Sequence, residues 1–149
     1  MEQVVRIFKY GSADYEKALQ LRTAVLRKPL GLEFTEEELK KDEADTHFGL
    51  FIGENIAACL TLSVCPDKRM KMRQVAVDAK LQGQGLGKKL STAAEQYASQ
   101  NNFQTMFCHA RKTAVPFYQK LGYETVGDEY IEVNIPHFTM EKKLKVSIE

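Results

Sequence analysis

Residues 70–90 read MKMRQVAVDAKLQGQGLGKKL: an alternating apolar run ends at Val77, a short polar connector follows, and Gln82-Gly83-Gln84-Gly85-Leu86-Gly87-Lys88 opens a helical pattern. The spacing predicts a strand, a glycine-rich turn and a helix. Successive glycines let backbone N–H groups approach a ligand closely. A helix start adds unpaired donors and the positive end of the helix dipole, an arrangement suited to phosphate. A plain strand-to-helix turn would use the same residues.

Working outward, Leu86, Leu90, Ala93, Ala94, Tyr97 and Ala98 form one stripe of the helix, which Gln100-Asn101-Asn102 ends. Thr105 to Ala110 is a strand reached through that helix, hence parallel to its predecessor, and Ala114 to Leu121 is a short helix stopped by Gly122. Tyr123 to Val126 and Phe138 to Leu144 are two last strands around Asn134-Ile135-Pro136. On the N-terminal side, His47 to Ile52 and Ile56 to Cys65 flank Gly53-Glu54-Asn55 as a hairpin. Met70 to Val77 completes a three-stranded antiparallel meander in which one face of the second strand meets a core of helices. Residues 3–10 are a first strand, and a helix follows from Asp14 through Leu26 to the stop Arg27-Lys28-Pro29. Thr35 caps a short polar helix reaching Lys41. Arg22 reads as a surface arginine with its stem on the apolar face or as a group reaching into a cleft. The acidic cluster Glu36, Glu37, Glu38, Asp42, Glu43 and Asp45 reads as a solvated face or as a rim that attracts a cationic substrate.

The 149 residues suit a single domain over 1–149, and 44% hydrophobic with 28% charged residues is ordinary globular composition. With 21 Lys+Arg against 20 Asp+Glu there is no global footprint for nucleic acid or anionic membrane. MEQVVRIFKY lacks a signal-peptide layout, and the expectation is a cytoplasmic protein. Cys59, Cys65 and Cys108 lack metal or redox spacing and read as small buried hydrophobes. His47, His109 and His137 lie far apart, so no metal is indicated.

Spacing tests the glycines. A Walker loop would need glycine at Gln82 and Ser or Thr at Lys89, and a dinucleotide fingerprint would need glycine at Lys88, so both fail. The pattern that remains, Gln82-Gly83-Gln84-Gly85-Leu86-Gly87 after Val75-Ala76-Val77-Asp78, resembles the acetyl-coenzyme-A pyrophosphate loop of the GCN5-related N-acetyltransferases. Downstream, Ala114-Val115-Pro116-Phe117-Tyr118-Gln119-Lys120-Leu121-Gly122-Tyr123 is similar to a second signature of that family, and Ile135-Pro136-His137-Phe138-Thr139-Met140 is similar to its ElaA-like branch.

The resemblance implies an α/β (α+β) acyl-CoA N-acyltransferase fold: a mixed, mostly antiparallel sheet of about seven strands with about four helices, splayed between strands four and five. It implies acetyl-CoA as cosubstrate, with pyrophosphate on the amides of Gln84 to Lys88, Gln82 holding the turn, and the backbone of Val75 and Val77 holding the pantetheine arm. The reaction implied is direct attack of an amine on the thioester, with Tyr118 as general acid; a core aromatic is the plainer reading of Tyr118. For the base, His109 competes with His137, Glu129, Asp78 and water-mediated proton loss, and a satisfied structural histidine is its plainer reading. Arg111 stands where the family often has asparagine, three residues before Ala114, so Arg111 and Lys112 either meet coenzyme phosphate or lie on the surface. The acceptor is a small-molecule or peptide amine, and a homodimer is compatible with the sequence. A non-catalytic acyl-CoA sensor and an unrelated phosphate-ligand binder are the competing classes.

Overall fold

The computed structural model describes residues 2–145, so the expected domain limits at residues 1 and 149 fall outside it. Among the described residues seven strands and four α-helices run in the order β1 (Gln3–Phe8), α1 (Ala13–Arg22), α2 (Glu36–Lys41), β2 (Thr46–Ile52), β3 (Asn55–Cys65), β4 (Arg69–Val77), α3 (Leu86–Gln100), β5 (Thr105–Arg111), α4 (Val115–Lys120), β6 (Glu124–Glu132) and β7 (Ile135–Lys143). The strand order is β1-β2-β3-β4-β5-β7-β6. The pairs β1–β2, β2–β3, β5–β7 and β6–β7 are antiparallel and β4–β5 is parallel, the mixed sheet expected from the sequence. Among the described residues no helix is long and apolar enough to cross a membrane. Two compact units are present, one comprising residues up to Ser63 with Gln74–Ala94, the other Val64–Arg73 with the residues from Glu95 on.

In the first unit Ser12 caps α1 by accepting from the Tyr15 amide at 3.1 Å, and its hydroxyl donates to the Lys9 carbonyl at 2.6 Å. That turn ends β1 at Phe8, two residues before the expected end. The helix is shorter than its apolar spacing suggests. After Arg22 it opens into one π-helical turn, Thr23–Arg27, then a 3₁₀ turn, Lys28–Leu30, closed by Gly31 at φ 69°. Thr23 Oγ1 bonds the Leu19 carbonyl at 2.8 Å, and Pro29 supplies no amide, so the regular ladder is disturbed from both ends. The α1 face packs Tyr15, Ala18 and Leu21 against Phe8, Phe51, Cys59 and Ala76. Gly49 is required by close approach, because a Cβ there would sit 2.7 Å from the Phe51 ring. Residues Ala57 to Leu62 of β3 are all buried, so this strand is covered on both faces and not on the single face expected.

In the second unit the β4–β5 ladder runs from Arg69↔Thr105 to Met72↔Cys108. β5 then pairs with β7 along its whole length, from Thr105↔Lys143 to Arg111↔His137. β6 and β7 are longer than the sequence indicates. They meet at a two-residue turn, Val133 (φ 52°) and Asn134 (φ 60°), with a register shift between Val126 and Tyr130. Six consecutive exposed residues, Glu124 to Glu129, give β6 no apolar alternation, and Pro136 within β7 argues against a strand when read locally.

Candidate acyl-transfer site

In the first unit the glycine stretch forms the turn its spacing predicts. β4 carries Gln74 at φ 55° in mid-strand, and Val75 and Val77 beyond it are half-buried on either side of buried Ala76. A non-glycine residue at positive φ costs roughly 1–3 kcal/mol. Here the bend falls just after the last β4–β5 pair, at Met72. Asp78 caps the next turn: its carboxylate accepts from the Lys80 amide at 2.9 Å, and its own amide donates to the Ala57 carbonyl at 2.9 Å.

Gln82 donates from its side chain to the Val77 carbonyl at 3.1 Å and ties the connector to the strand end. Gly83 and Gly85 adopt φ 84° and 79°, and a Cβ at either would meet nothing within 4 Å. Backbone conformation, not crowding, therefore requires glycine at both positions, and the space above the turn is open. The first α3 hydrogen bond runs from the Lys89 amide to the Gly85 carbonyl at 3.0 Å, so Leu86, Gly87 and Lys88 present amides with no acceptor inside the helix. Leu86 is buried beneath them, while Gln82 to Gly85 and Lys88 are exposed. These residues fit a diphosphate.

In the second unit Ala114 stands at the N-cap of α4, with Pro116 in its first turn, and Tyr118 is buried on that helix with 7% exposure. Its ring packs against Phe117 at 5.0 Å and Tyr123 at 5.7 Å. Burial raises the Tyr118 pKa above its ordinary value, with Cys108 adding to the effect, and the hydroxyl makes no hydrogen bond among the described residues. Tyr123 differs. Its hydroxyl donates to Glu95 at 2.9 Å, and Lys142 bridges Glu95 at 2.8 Å and the Leu121 carbonyl at 2.7 Å, so Tyr123 is held in a structural network.

Strand register puts Phe107, His109 and Arg111 of β5 on one sheet face and buried Met106, Cys108 and Ala110 on the other. His109 is half-buried, with Nδ1 3.1 Å from Glu132 Oε1. His137 is 5% exposed and Glu129 is engaged with Lys112 at 2.8 Å. Arg111 is half-buried at the β5 end, whereas Lys112 is exposed. Cys59 and Cys108 are buried, with thiols pushed up to about 12 by desolvation, as inert hydrophobes should be. Cys65 departs from that reading, since it is only half-buried at the end of β3.

Two expectations about the first unit need correction. Arg22 is neither a surface snorkel nor a cleft group: it is 2% exposed, and Nη1 lies 2.7 Å from Oδ2 of Asp42, itself fully buried. Tyr15 donates to the same oxygen at 2.6 Å. The acidic cluster is therefore not one solvated face. Asp42 is inside, and Glu38 closes a capping box with Thr35 and takes Arg27 through both oxygens at 3.1 and 2.6 Å. Both Arg22 and Arg27 also lie over the Phe34 ring, at 4.6 and 4.2 Å. No local pattern signals these pairings, because Arg22 and Asp42 are 20 positions apart.

His47 completes this network. The Asp42 carbonyl, 2.8 Å from Nε2, can only accept, so Nε2 carries the proton and Nδ1 accepts from the Thr61 hydroxyl at 3.0 Å. Burial pushes the His47 pKa below its ordinary 6.5, and this outweighs the opposing Asp42 carbonyl bond. The unfolded chain then binds the proton more readily. Stability supplied by neutral His47 is full above pH 6.5 and falls as pH drops below it. Urea unfolding between about pH 7 and 5 is expected to show a shallower loss for His47→Gln than for the parent chain; equal slopes would contradict the assignment.

A sheet with a parallel β4–β5 pair that ends early, a glycine turn presenting amides and a buried tyrosine on the next short helix define an acyltransferase-type scaffold. The acetyltransferase (GNAT) domain family matches residues 15–144, and the chain belongs to that family. A Bacillus subtilis protein provisionally named an acetyltransferase is 27% identical over 135 residues, covering 87% of this chain and 90% of that one. A solved Lactobacillus plantarum structure, provisionally named an N-acetyltransferase, superposes with TM-score 0.87 at 27% identity, over 96% of this chain and 99% of the other. Escherichia coli ElaA shares the fold with TM-score 0.81 at 19% identity, over 95% and 99% of the two chains.

Proposed function

We propose that this chain is a cytoplasmic, acetyl-CoA-dependent N-acetyltransferase, one domain over residues 1–149 that acts on a primary amine of a small molecule or peptide. The observation that carries the reading is the turn at Gly83 and Gly85, with open space above it and, beside it, the amides of Leu86, Gly87 and Lys88, unpaired among the described residues. The amides from Gln84 to Lys88 hold the pyrophosphate and Gln82 fixes the turn. The Val75 and Val77 backbone takes the pantetheine arm, and Arg111 and Ala114 add contacts from the β5–α4 corner. The cosubstrate supplies an activated acyl group: a C–N bond forms as the C–S bond breaks. The Tyr118 hydroxyl gives its proton to the departing sulfur, and His109 Nε2 takes the proton shed by the amine. A lysine-like amine, with a pKa of about 10.4, needs such an acceptor before it can attack.

Calorimetric titration with acetyl-CoA, followed by a screen of amines for thiol release, tests the proposal. Absence of binding at millimolar concentration overturns it; binding without turnover of any amine favours a non-catalytic sensor. Gly85→Val is expected to weaken acetyl-CoA binding about tenfold or more, because a β-branched residue at φ 79° strains the turn by at least about 1–2 kcal/mol. An unchanged dissociation constant would dissociate the turn from the ligand.

A further inference from the structure

His109 does not stand alone on its face of the sheet. Registers place Lys71 opposite Phe107, Thr139 opposite His109, and Tyr130 opposite His137. Glu132, two residues beyond Tyr130, shares the Tyr130 face and reaches both histidines. Oε1 lies 3.1 Å from His109 Nδ1 and Oε2 lies 3.7 Å from His137 Nε2. The Tyr130 ring packs edge-on to His109 at 5.7 Å and stacks on His137 at 6.0 Å, and Thr139 Oγ1 donates to the Tyr130 hydroxyl at 3.4 Å.

Hydrogen-bond chemistry fixes the protons. An ionised carboxylate only accepts, so His109 Nδ1 must donate to Glu132. In the neutral imidazole Nε2 then keeps the lone pair, and this nitrogen has no hydrogen-bond partner among the described residues. His109 keeps 29% exposure, so this nitrogen can be approached. His137 is arranged differently: Nδ1 donates to the Ile135 carbonyl at 2.8 Å, which fixes that ring while its Nε2 faces the second carboxylate oxygen. Among the described residues Glu132 therefore has its one hydrogen bond to a histidine at His109, with His137 a close neighbour held by the Ile135 carbonyl.

Lys71 lies on the same face. Lys71 makes no hydrogen bond or ion pair among the described residues, and burial lowers its pKa despite the opposing pull of Glu132, with Arg73 lowering it further. Arg69 is directed elsewhere, over the Phe107 ring at 4.1 Å and towards Glu141 at 3.7 Å.

We infer that Glu132 is a positioning residue that holds His109 in the Nδ1–H tautomer and so presents Nε2 as the proton acceptor for the amine. The inference rests on the N-acetyltransferase reading for its catalytic part, while the tautomer stands by itself. Nitrogen-15 NMR of histidine-labelled protein tests it directly. The parent chain is expected to show His109 as the Nδ1–H tautomer, and Glu132→Ala is expected to shift it towards Nε2–H. With an amine found by thiol release, Glu132→Ala should lower kcat about tenfold or more and leave acetyl-CoA affinity within about twofold. Glu132→Gln keeps an acceptor oxygen and should retain more of both signals, and it serves if the alanine variant misfolds. An Nε2–H tautomer in the parent chain, or an unchanged tautomer in Glu132→Ala, overturns the inference. So does a kcat loss without a tautomer change. Failure of every amine in the parent chain would sink the proposed function, and the tautomer result would still decide the role of Glu132.

Discussion

Replacing Tyr118 with phenylalanine is expected to lower kcat by about 10²-fold or more while leaving acetyl-CoA affinity within about twofold, because general-acid help is worth roughly 10²–10⁴-fold and is drawn on only as the sulfur departs. The physical ground is the position of the side chain. Tyr118 is almost fully buried on α4, and burial raises its pKa, so the hydroxyl stays protonated throughout the neutral range. It has no competing hydrogen bond among the described residues. Phenylalanine keeps the edge packing on Phe117 and Tyr123, so the fold should survive and the loss should fall on turnover. Single-turnover thiol release from pre-bound acetyl-CoA isolates the step. Unchanged turnover would return Tyr118 to the role of a core aromatic.

Asp42→Ala is expected to be the most destabilising single change in the first unit, by about 3–5 kcal/mol, because it leaves the Arg22 guanidinium buried without its carboxylate. Arg22 Nε lacks a hydrogen-bond partner among the described residues, so Nη1–Asp42 and the Phe34 ring carry much of what holds the charge in place. Tyr15 would lose its acceptor at the same time. Against a typical total of about 5–15 kcal/mol, the loss is large. Urea unfolding measures it. Arg22→Met combined with Asp42→Leu should recover most of the stability, since replacing both ions with apolar groups removes the desolvation penalty. A single variant within about 1 kcal/mol of the parent chain would show that the pair contributes little.

The sheet was legible in sequence wherever one face is buried and the other is not. β4 and α3 alternate with periods of two and near 3.6, and Thr35-Glu36-Glu37-Glu38 announced its own cap. β6 was cut short because Glu124 to Glu129 are all exposed, and a strand without a buried face leaves no alternation to read. Apolar spacing overextends α1, since it continues through Val25 and Leu26, whereas the ladder fails at Thr23 and Pro29.

The candidate site divides in the same way. The turn at Gly83 and Gly85 is readable locally, since a positive φ is a local requirement, whereas Gln82 and Tyr118 are singled out by the family resemblance. Glu132 and Asp42 are readable in neither way, because each takes its meaning from a partner more than a dozen residues away. Glu132 meets His109 across 23 positions, and Asp42 meets Arg22 across 20.

By itself the sequence determined the strand–glycine-turn–helix, the order of the elements and the family they resemble, because backbone geometry and amphipathic period act over a few residues. Tertiary structure alone decided which charges lie inside and which imidazole nitrogen keeps its lone pair. Desolvation and hydrogen-bond partnership depend on what distant strands bring to one face, and neighbouring letters do not encode that distance.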